Sequence, residues 1–136
     1  ILSDELGDLS GRCVSIWGLA YIAGTDDIRE TVSVRVIDSL LEAGATLRLH
    51  DPIAIPAMKA QRPGSEACAY HDSASEAAAG SCAIVLLTEW PEYGEQDWAS
   101  IRSVMSEPAL ILDGRNMLES KVLEAVGFKY RSMGRP

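Results

Sequence analysis

The sequence predicts an α/β fold: a three-layer, Rossmann-like domain whose mostly parallel sheet, of about five or six strands, carries helices on both faces. Three observations lead there. Apolar runs of strand length alternate along the chain with segments of helical period. Two of the runs, Ala83–Leu87 and Ala109–Leu112, are continuously apolar, as strands covered on both faces are. Polar clusters follow the runs at their carboxyl ends, which is where open α/β sheets bind ligands.

The elements can be justified in order. Val14-Ser15-Ile16-Trp17 reads as the first strand. Val32, Val36 and Leu40 recur at i, i+4 and i+8, with Ile37 and Leu41 beside them, and make one apolar helix face. Asp27 with Glu30 forms a candidate capping box for this helix, Thr31 or Ser33 a second candidate cap, and Gly44 a C′ stop. Thr46–His50 is the second strand, stopped by Asp51-Pro52, and a short helix is expected around Pro56–Ala60. Arg62-Pro63-Gly64-Ser65 is a turn cluster, and Ala67–Tyr70 a short strand. Ser73 and Glu76 have capping-box spacing ahead of an alanine-rich helix that Gly80 closes. Ala83–Leu87 follows as a buried strand. Trp98, Ile101 and Met105 line a helix face, and Ala109–Leu112 is the next buried strand. Leu118, Val122 and Val126 mark a last long helix before Gly127, and Phe128–Arg131 a final edge strand. No internal repeat, low-complexity segment or linker interrupts the pattern. Residues 1–10 read as a connector, and residues 11–136 as the domain.

Composition narrows the function classes. A chain of 136 residues is the size of one domain with one real core. The net charge of −8 repels phosphate backbones and argues against nucleic-acid binding, while a small phosphate ligand can still be held by local cations and helix N-termini. No apolar run reaches the roughly 18 residues of a membrane span. No signal-peptide pattern precedes the domain, which points to the cytoplasm. With Ile1 in place of an initiator Met, the sequence reads as a piece of something longer. Cys13, Cys68 and Cys82 lack metal-ligand spacing, so no metal site is expected; they read as buried thiols of a reducing compartment.

Four polar clusters sit at strand ends: Gly18 to Glu30, His50-Asp51-Pro52, Thr88-Glu89-Trp90-Pro91-Glu92-Tyr93, and Asp113-Gly114-Arg115-Asn116. Gly18 either lets the strand turn or admits a ligand. Asp51-Pro52 reads as a strand stop, and Trp90 and Tyr93 either roof the core or face a ligand. Arg115 is the strongest ligand candidate, because a guanidinium presents a fixed donor fork suited to phosphate or a base edge. His50 and His71 are isolated from any nucleophile and read as surface or turn histidines. The first loop is neither G-x-G-x-x-G nor G-x-x-x-x-G-K-[ST], and no G-x-S-x-G or H-E-x-x-H occurs. The residues therefore describe a binding domain, with no catalytic residue assigned.

The loop Gly18-Leu19-Ala20-Tyr21-Ile22-Ala23-Gly24-Thr25-Asp26-Asp27-Ile28-Arg29-Glu30 resembles the pattern G-L-[AS]-F-K-x-x-T-D-D-x-R-E. Asp51-Pro52, Thr88–Tyr93, Asp113–Asn116, Gly127-Phe128 and Gly134-Arg135 are similar to later motifs of the same family, in the same order. The family is the UDP-glucose/GDP-mannose dehydrogenases, and the resemblance is to their C-terminal, UDP-binding domain. Its implication is a UDP-sugar-binding domain of an NAD-dependent, UDP-glucose 6-dehydrogenase-like oxidoreductase, which turns a sugar C6 alcohol into a carboxylate for polysaccharide biosynthesis. An N-terminal domain would bind NAD and a central domain would carry the nucleophilic cysteine; the family's G-F-G-G-x-C pattern is not in this chain. The implied partners are the UDP-sugar, those two domains and, at full length, further copies in a homo-oligomer. Position by position, Arg115 matches an arginine that contacts the UDP part. Tyr21 stands where a phenylalanine lies along the sugar nucleotide. Arg29 matches an arginine that reaches NAD across the domain interface. Ile22 replaces the usual lysine beside sugar and pyrophosphate. The Trp90 motif favours the UDP-glucose branch. The alternative is a non-catalytic oligomerisation or regulatory module, suggested by the missing lysine; a free-standing nucleotide-binding domain is a third reading.

Overall fold

The computed structural model describes residues 7–19, 32–61 and 63–132. The expected caps at Asp27, Glu30 and Thr31, the side chain of Ser33, Arg62 of the turn cluster, and Gly134-Arg135 lie outside the described residues or side chains. In chain order the elements are β1 (Cys13–Trp17), α1 (Val32–Glu42), β2 (Thr46–His50), α2 (Ile55–Gln61), β3 (Cys68–Tyr70) and α3 (Ala74–Ala78). Then come β4 (Ala83–Leu86), a 3-10 turn (Pro91–Gly94), α4 (Trp98–Val104), β5 (Leu110–Asp113), α5 (Ser120–Val126) and β6 (Lys129–Ser132).

The strands form one six-stranded sheet in the order β3-β2-β1-β4-β5-β6, and every pairing is parallel. This is the doubly wound order: strands are added outward from β1 to β3, then from β4 to β6 on the other side, with the switch between β1 and β4. Strand alternation sorts the core into two layers. Val14, Ile16, Leu47, Leu49, Val85 and Leu110 face Ile37 and Leu40 of α1 and Met58 of α2. Trp17, Ile84, Leu86, Ile111 and Tyr130 face the other way, onto α3, α4 and α5. Each aliphatic chain buried so contributes about 1.5–3 kcal/mol. The second layer is built on aromatics: Trp17 lies 5.1 Å from Tyr93 and 5.6 Å from Trp98, centroid to centroid, and Trp98 meets Phe128 edge-on at 5.7 Å.

Local sequence explains the helix ends. Ser73 Oγ accepts the Glu76 N–H at 3.1 Å, so the expected cap of α3 is made. Gly44 closes α1 as expected: its N–H donates to the Leu41 carbonyl while the Ala45 N–H donates to Leu40. Asp97 caps α4 through the Ser100 N–H, a cap the sequence reading did not single out, and that hydrogen bond holds its carboxyl below the ordinary range.

The last helix corrects an expectation. It spans only Ser120–Val126. Leu118 is buried but precedes it, Val122 is half exposed, and Leu123 is the residue that enters the core. A spacing of four residues does not distinguish a helix face from a loop residue anchored beside a helix. The cysteines fall as follows: Cys68 and Cys82 are buried and Cys13 is half-buried, all three as free thiols. Burial raises the Cys68 and Cys82 thiols above their ordinary value, which disfavours the nucleophilic thiolate.

Candidate nucleotide site at the carboxyl rim of the sheet

The strand register places the polar clusters on one edge. Trp17 pairs with His50 on one side and with Leu86 on the other, and Leu86 pairs with Asp113. Gly18, Asp51, Leu87 and Gly114 therefore follow directly along the same rim. The Gly18 N–H donates to the His50 carbonyl, Leu87 N–H to Trp17, and Gly114 N–H to Leu86, at 2.8–2.9 Å, so the ladder continues past the strands.

Two glycines allow this crowding. Gly18 has φ +98°, and a Cβ there would lie 2.5 Å from Thr88 Cβ. A Cβ at Gly114 would lie 2.7 Å from the Leu86 carbonyl oxygen. Both close approaches need a residue without a side chain. At the crossover point Gly18 is thus filled against Thr88 and is not an open cradle.

Asp51 organises the left half of the rim. It is buried. Its Oδ1 accepts the N–H groups of Ile53 (2.8 Å) and Ala54 (2.7 Å). Its Oδ2 accepts the Leu19 N–H at 2.8 Å and the Trp90 indole N–H at 3.2 Å. A residue expected only to stop a strand joins the β1 turn, the β2 turn and the β4 loop. The main-chain donors at Gly18 and Leu19 are spent inside the protein.

His50 is a second correction. It was expected at the surface or in a turn, yet it is buried as the last residue of β2. On β2, Leu47 and Leu49 fill the first layer, so Arg48 and His50 point to the second, where each finds a partner. Arg48 donates to the carbonyls of Glu76 (2.7 Å) and Ala77 (3.2 Å) at the end of α3. His50 Nδ1 lies 3.0 Å from the Tyr93 hydroxyl, which is also 3.3 Å from the His50 carbonyl. Burial lowers the His50 pKa, opposed in part by the carboxylates of Glu92, Asp51 and Asp72. Burial also raises the Tyr93 phenol well above its ordinary range, so Tyr93 stays a proton donor. His71, just after β3, is half-buried and likewise lowered, first by burial and then by Arg48.

A lowered imidazole means the folded protein prefers it neutral. The unfolded chain takes up a proton near pH 6.5, so stability is intact above that pH and falls below it, down to the folded-state value. We expect a lower urea midpoint at pH 5.5 than at 7.5, and a smaller difference in His50→Asn, whose amide oxygen can replace Nδ1 as acceptor. An unchanged pH difference in His50→Asn would remove His50 as a source.

Asp113 organises the right half. It is fully buried at the end of β5. Its Oδ1 accepts the Arg115 N–H at 3.0 Å, and its Oδ2 the Leu118 N–H and the Tyr130 hydroxyl, both at 2.8 Å. Asn116 takes the left-handed φ of +55° that this turn requires and that asparagine tolerates. The backbone under Arg115 is therefore fixed from inside while its side chain reaches the surface. There Nε and Nη2 of Arg115 both meet Glu89 Oε2, joining the ends of β5 and β4. A shallow groove of about 340 Å³ lies over Asn116–Lys121, and a second of about 410 Å³, sharing Met117–Glu119 with it, lies between Trp98, Met117 and Val122.

Of the residues assigned from sequence, Arg115 is placed on this rim, and Tyr21, Ile22 and Arg29 lie outside the described residues. Sequence reasoning missed Asp51 and Asp113 as buried acceptors. Their common signal is an aspartate directly after a buried strand, where several turn N–H groups converge. Among the described residues no group of His, Cys, Asp and Glu could hold a metal ion, and no helix is long and apolar enough to cross a membrane.

Comparison with known proteins agrees with this geometry. Residues 15–120 match the UDP-glucose/GDP-mannose dehydrogenase family, UDP binding domain. UDP-glucose 6-dehydrogenase of Pseudomonas aeruginosa is 40% identical over 144 aligned positions, covering 100% of this chain and 32% of that relative. The Bacillus subtilis UDP-glucose 6-dehydrogenase TuaD is 34% identical, covering 96% of this chain and 28% of its own length. Among solved structures, the NDP-N-acetyl-D-galactosaminuronic acid dehydrogenase of Methanosarcina mazei superposes with a TM-score of 0.79 at 32% identity, covering 98% of this chain and 27% of that one. The UDP-glucose dehydrogenase of Pyrobaculum islandicum gives a TM-score of 0.76 at 29% identity, covering 96% of this chain and 27% of its own. The chain thus spans about a third of the length of these relatives. With the doubly wound sheet, the ordered rim motifs and the match over residues 15–120, the chain belongs to the UDP-glucose/GDP-mannose dehydrogenase family, as its UDP-binding domain.

Proposed function

We propose that this chain is the C-terminal, UDP-sugar-binding part of an NAD-dependent 6-dehydrogenase that acts on UDP-glucose or a similar UDP-sugar in the cytoplasm. One observation supports this above the others: a guanidinium, Arg115, is held at the carboxyl rim of the sheet on a backbone locked by Asp113. Arg115 would bind the UDP diphosphate through charge-assisted hydrogen bonds. Tyr21 would lie along the sugar nucleotide, with Ile22 beside it offering no charge. In this reading residues 1–10 connect to the preceding domains and residues 11–136 form the binding unit.

NAD, where bound, takes up hydride from the sugar C6. The first loop lacks the G-x-G-x-x-G pattern that seats a pyrophosphate, and the Gly18 and Leu19 N–H groups are taken by His50 and Asp51. We place NAD on another domain of the enzyme, with Arg29 reaching it across the interface. The catalytic cysteine would likewise come from outside this chain, because the family's G-F-G-G-x-C pattern is not in it, and Cys68 and Cys82 are buried with raised pKa.

The full-length protein is the material for the test. NADH formation is followed with UDP-glucose, UDP-N-acetyl sugars and GDP-mannose in turn. The expected result is oxidation of a UDP-sugar and none of GDP-mannose. Oxidation of GDP-mannose alone, or of no sugar, would contradict the reading.

A further inference from the structure

We propose that Glu89 is the positioning residue that aims Arg115 at a diphosphate ligand. This inference rests on the assignment of Arg115 to the UDP site.

Arg115 carries five N–H donors in a planar fork. Glu89 engages one edge of that plane, Nε and Nη2, through a single oxygen, Oε2. The end-on edge, formed by Nη1 and the second Nη2 hydrogen, remains as a pair of parallel donors that can match two oxygens of a phosphate. The pair therefore orients the fork without consuming its ligand-facing edge. Both side chains are about two-fifths exposed (41% and 37%), so the pair stands at the surface, where a ligand can reach it.

Glu89 is itself well anchored. It follows Thr88, which is buried and packed against Gly18 at the crossover point. It precedes Trp90, whose indole is tied to Asp51. The carboxylate thus rises from fixed backbone in the loop after β4, as Arg115 does from the Asp113-locked turn after β5. A long arginine side chain otherwise loses considerable rotamer freedom on binding. Holding it beforehand removes that cost from the binding step.

A competing role makes the opposite prediction. If Glu89 acted as a competitor for the guanidinium, or as a negative charge repelling the diphosphate, any loss of its charge would tighten binding. If Glu89 positions Arg115, Glu89→Ala weakens binding while Glu89→Gln, whose amide oxygen still accepts from Nε and Nη2, largely retains it.

The test is a calorimetric titration of the chain with UDP for wild type, Arg115→Ala, Glu89→Ala and Glu89→Gln, with thermal unfolding to confirm that each is folded. The Arg115 Nε–H resonance is followed by NMR in parallel. We expect affinity to fall about tenfold in Glu89→Ala, to stay within about threefold of wild type in Glu89→Gln, and the Nε–H resonance to weaken only in Glu89→Ala. Unchanged or tighter binding in Glu89→Ala, with binding lost in Arg115→Ala, overturns the role of Glu89 alone. Equal binding in wild type and Arg115→Ala, or none in either, overturns the Arg115 assignment and this inference with it.

Discussion

Asp51→Ala will lower the unfolding free energy by about 3–5 kcal/mol. The substitution strips the acceptor from Leu19, Ile53, Ala54 and Trp90. A hydrogen bond to a charged group contributes about 1.5–3 kcal/mol, and each buried donor left unmet costs about 1–3 kcal/mol. Relaxation and incoming water recover part of that sum, which sets the lower figure. Against a typical total of about 5–15 kcal/mol, the loss is large. Urea unfolding of wild type and variant measures it. The Trp90 indole also loses its partner, so indole fluorescence in the native state will shift. A loss below about 1 kcal/mol would mean that the carboxylate does not carry the rim.

Arg115→Ala will weaken UDP binding by about thirtyfold. An arginine on a phosphate makes charge-assisted hydrogen bonds, at the upper end of what single interactions contribute. The side chain is only partly covered, and solvent screening reduces its effect at such a site. About 2 kcal/mol remains, which corresponds to about thirtyfold. Stability will change little, because Asp113 fixes the turn through the Arg115 backbone N–H, which alanine retains.

The strands were the most legible part of the fold. Ala83–Leu87 and Ala109–Leu112 are apolar on both sides because both faces of the sheet are covered, and a run with no polar face has few other places to go. The short helix α3 was legible from Ser73 and Glu76 because a cap is a local interaction. The strand order was not legible, since nothing local says that β4 lies beside β1. The polar positions of β2 misled for a related reason. Arg48 and His50 alternate with Leu47 and Leu49 like the solvent side of a strand, and only the second layer of helices makes them internal. Asp51 and Asp113 share this difficulty. Their acceptors are filled by groups up to 39 residues away in sequence, such as the Trp90 indole. Arg115 could be singled out because a guanidinium in a strand-end turn stands out among turn residues, and the structure places it on the rim, paired with Glu89. That Glu89 meets it could not be read, because the two are 26 residues apart and join only when β4 and β5 pair in register.

The central claim is that this chain holds UDP through Arg115. Its most direct measurement is the equilibrium titration of wild type and Arg115→Ala with UDP at equal protein concentration and ionic strength. One saturable site is expected in wild type and roughly thirtyfold weaker binding in the variant, with both proteins equally folded. Equal affinity in the two proteins, or no binding by wild type, would contradict it.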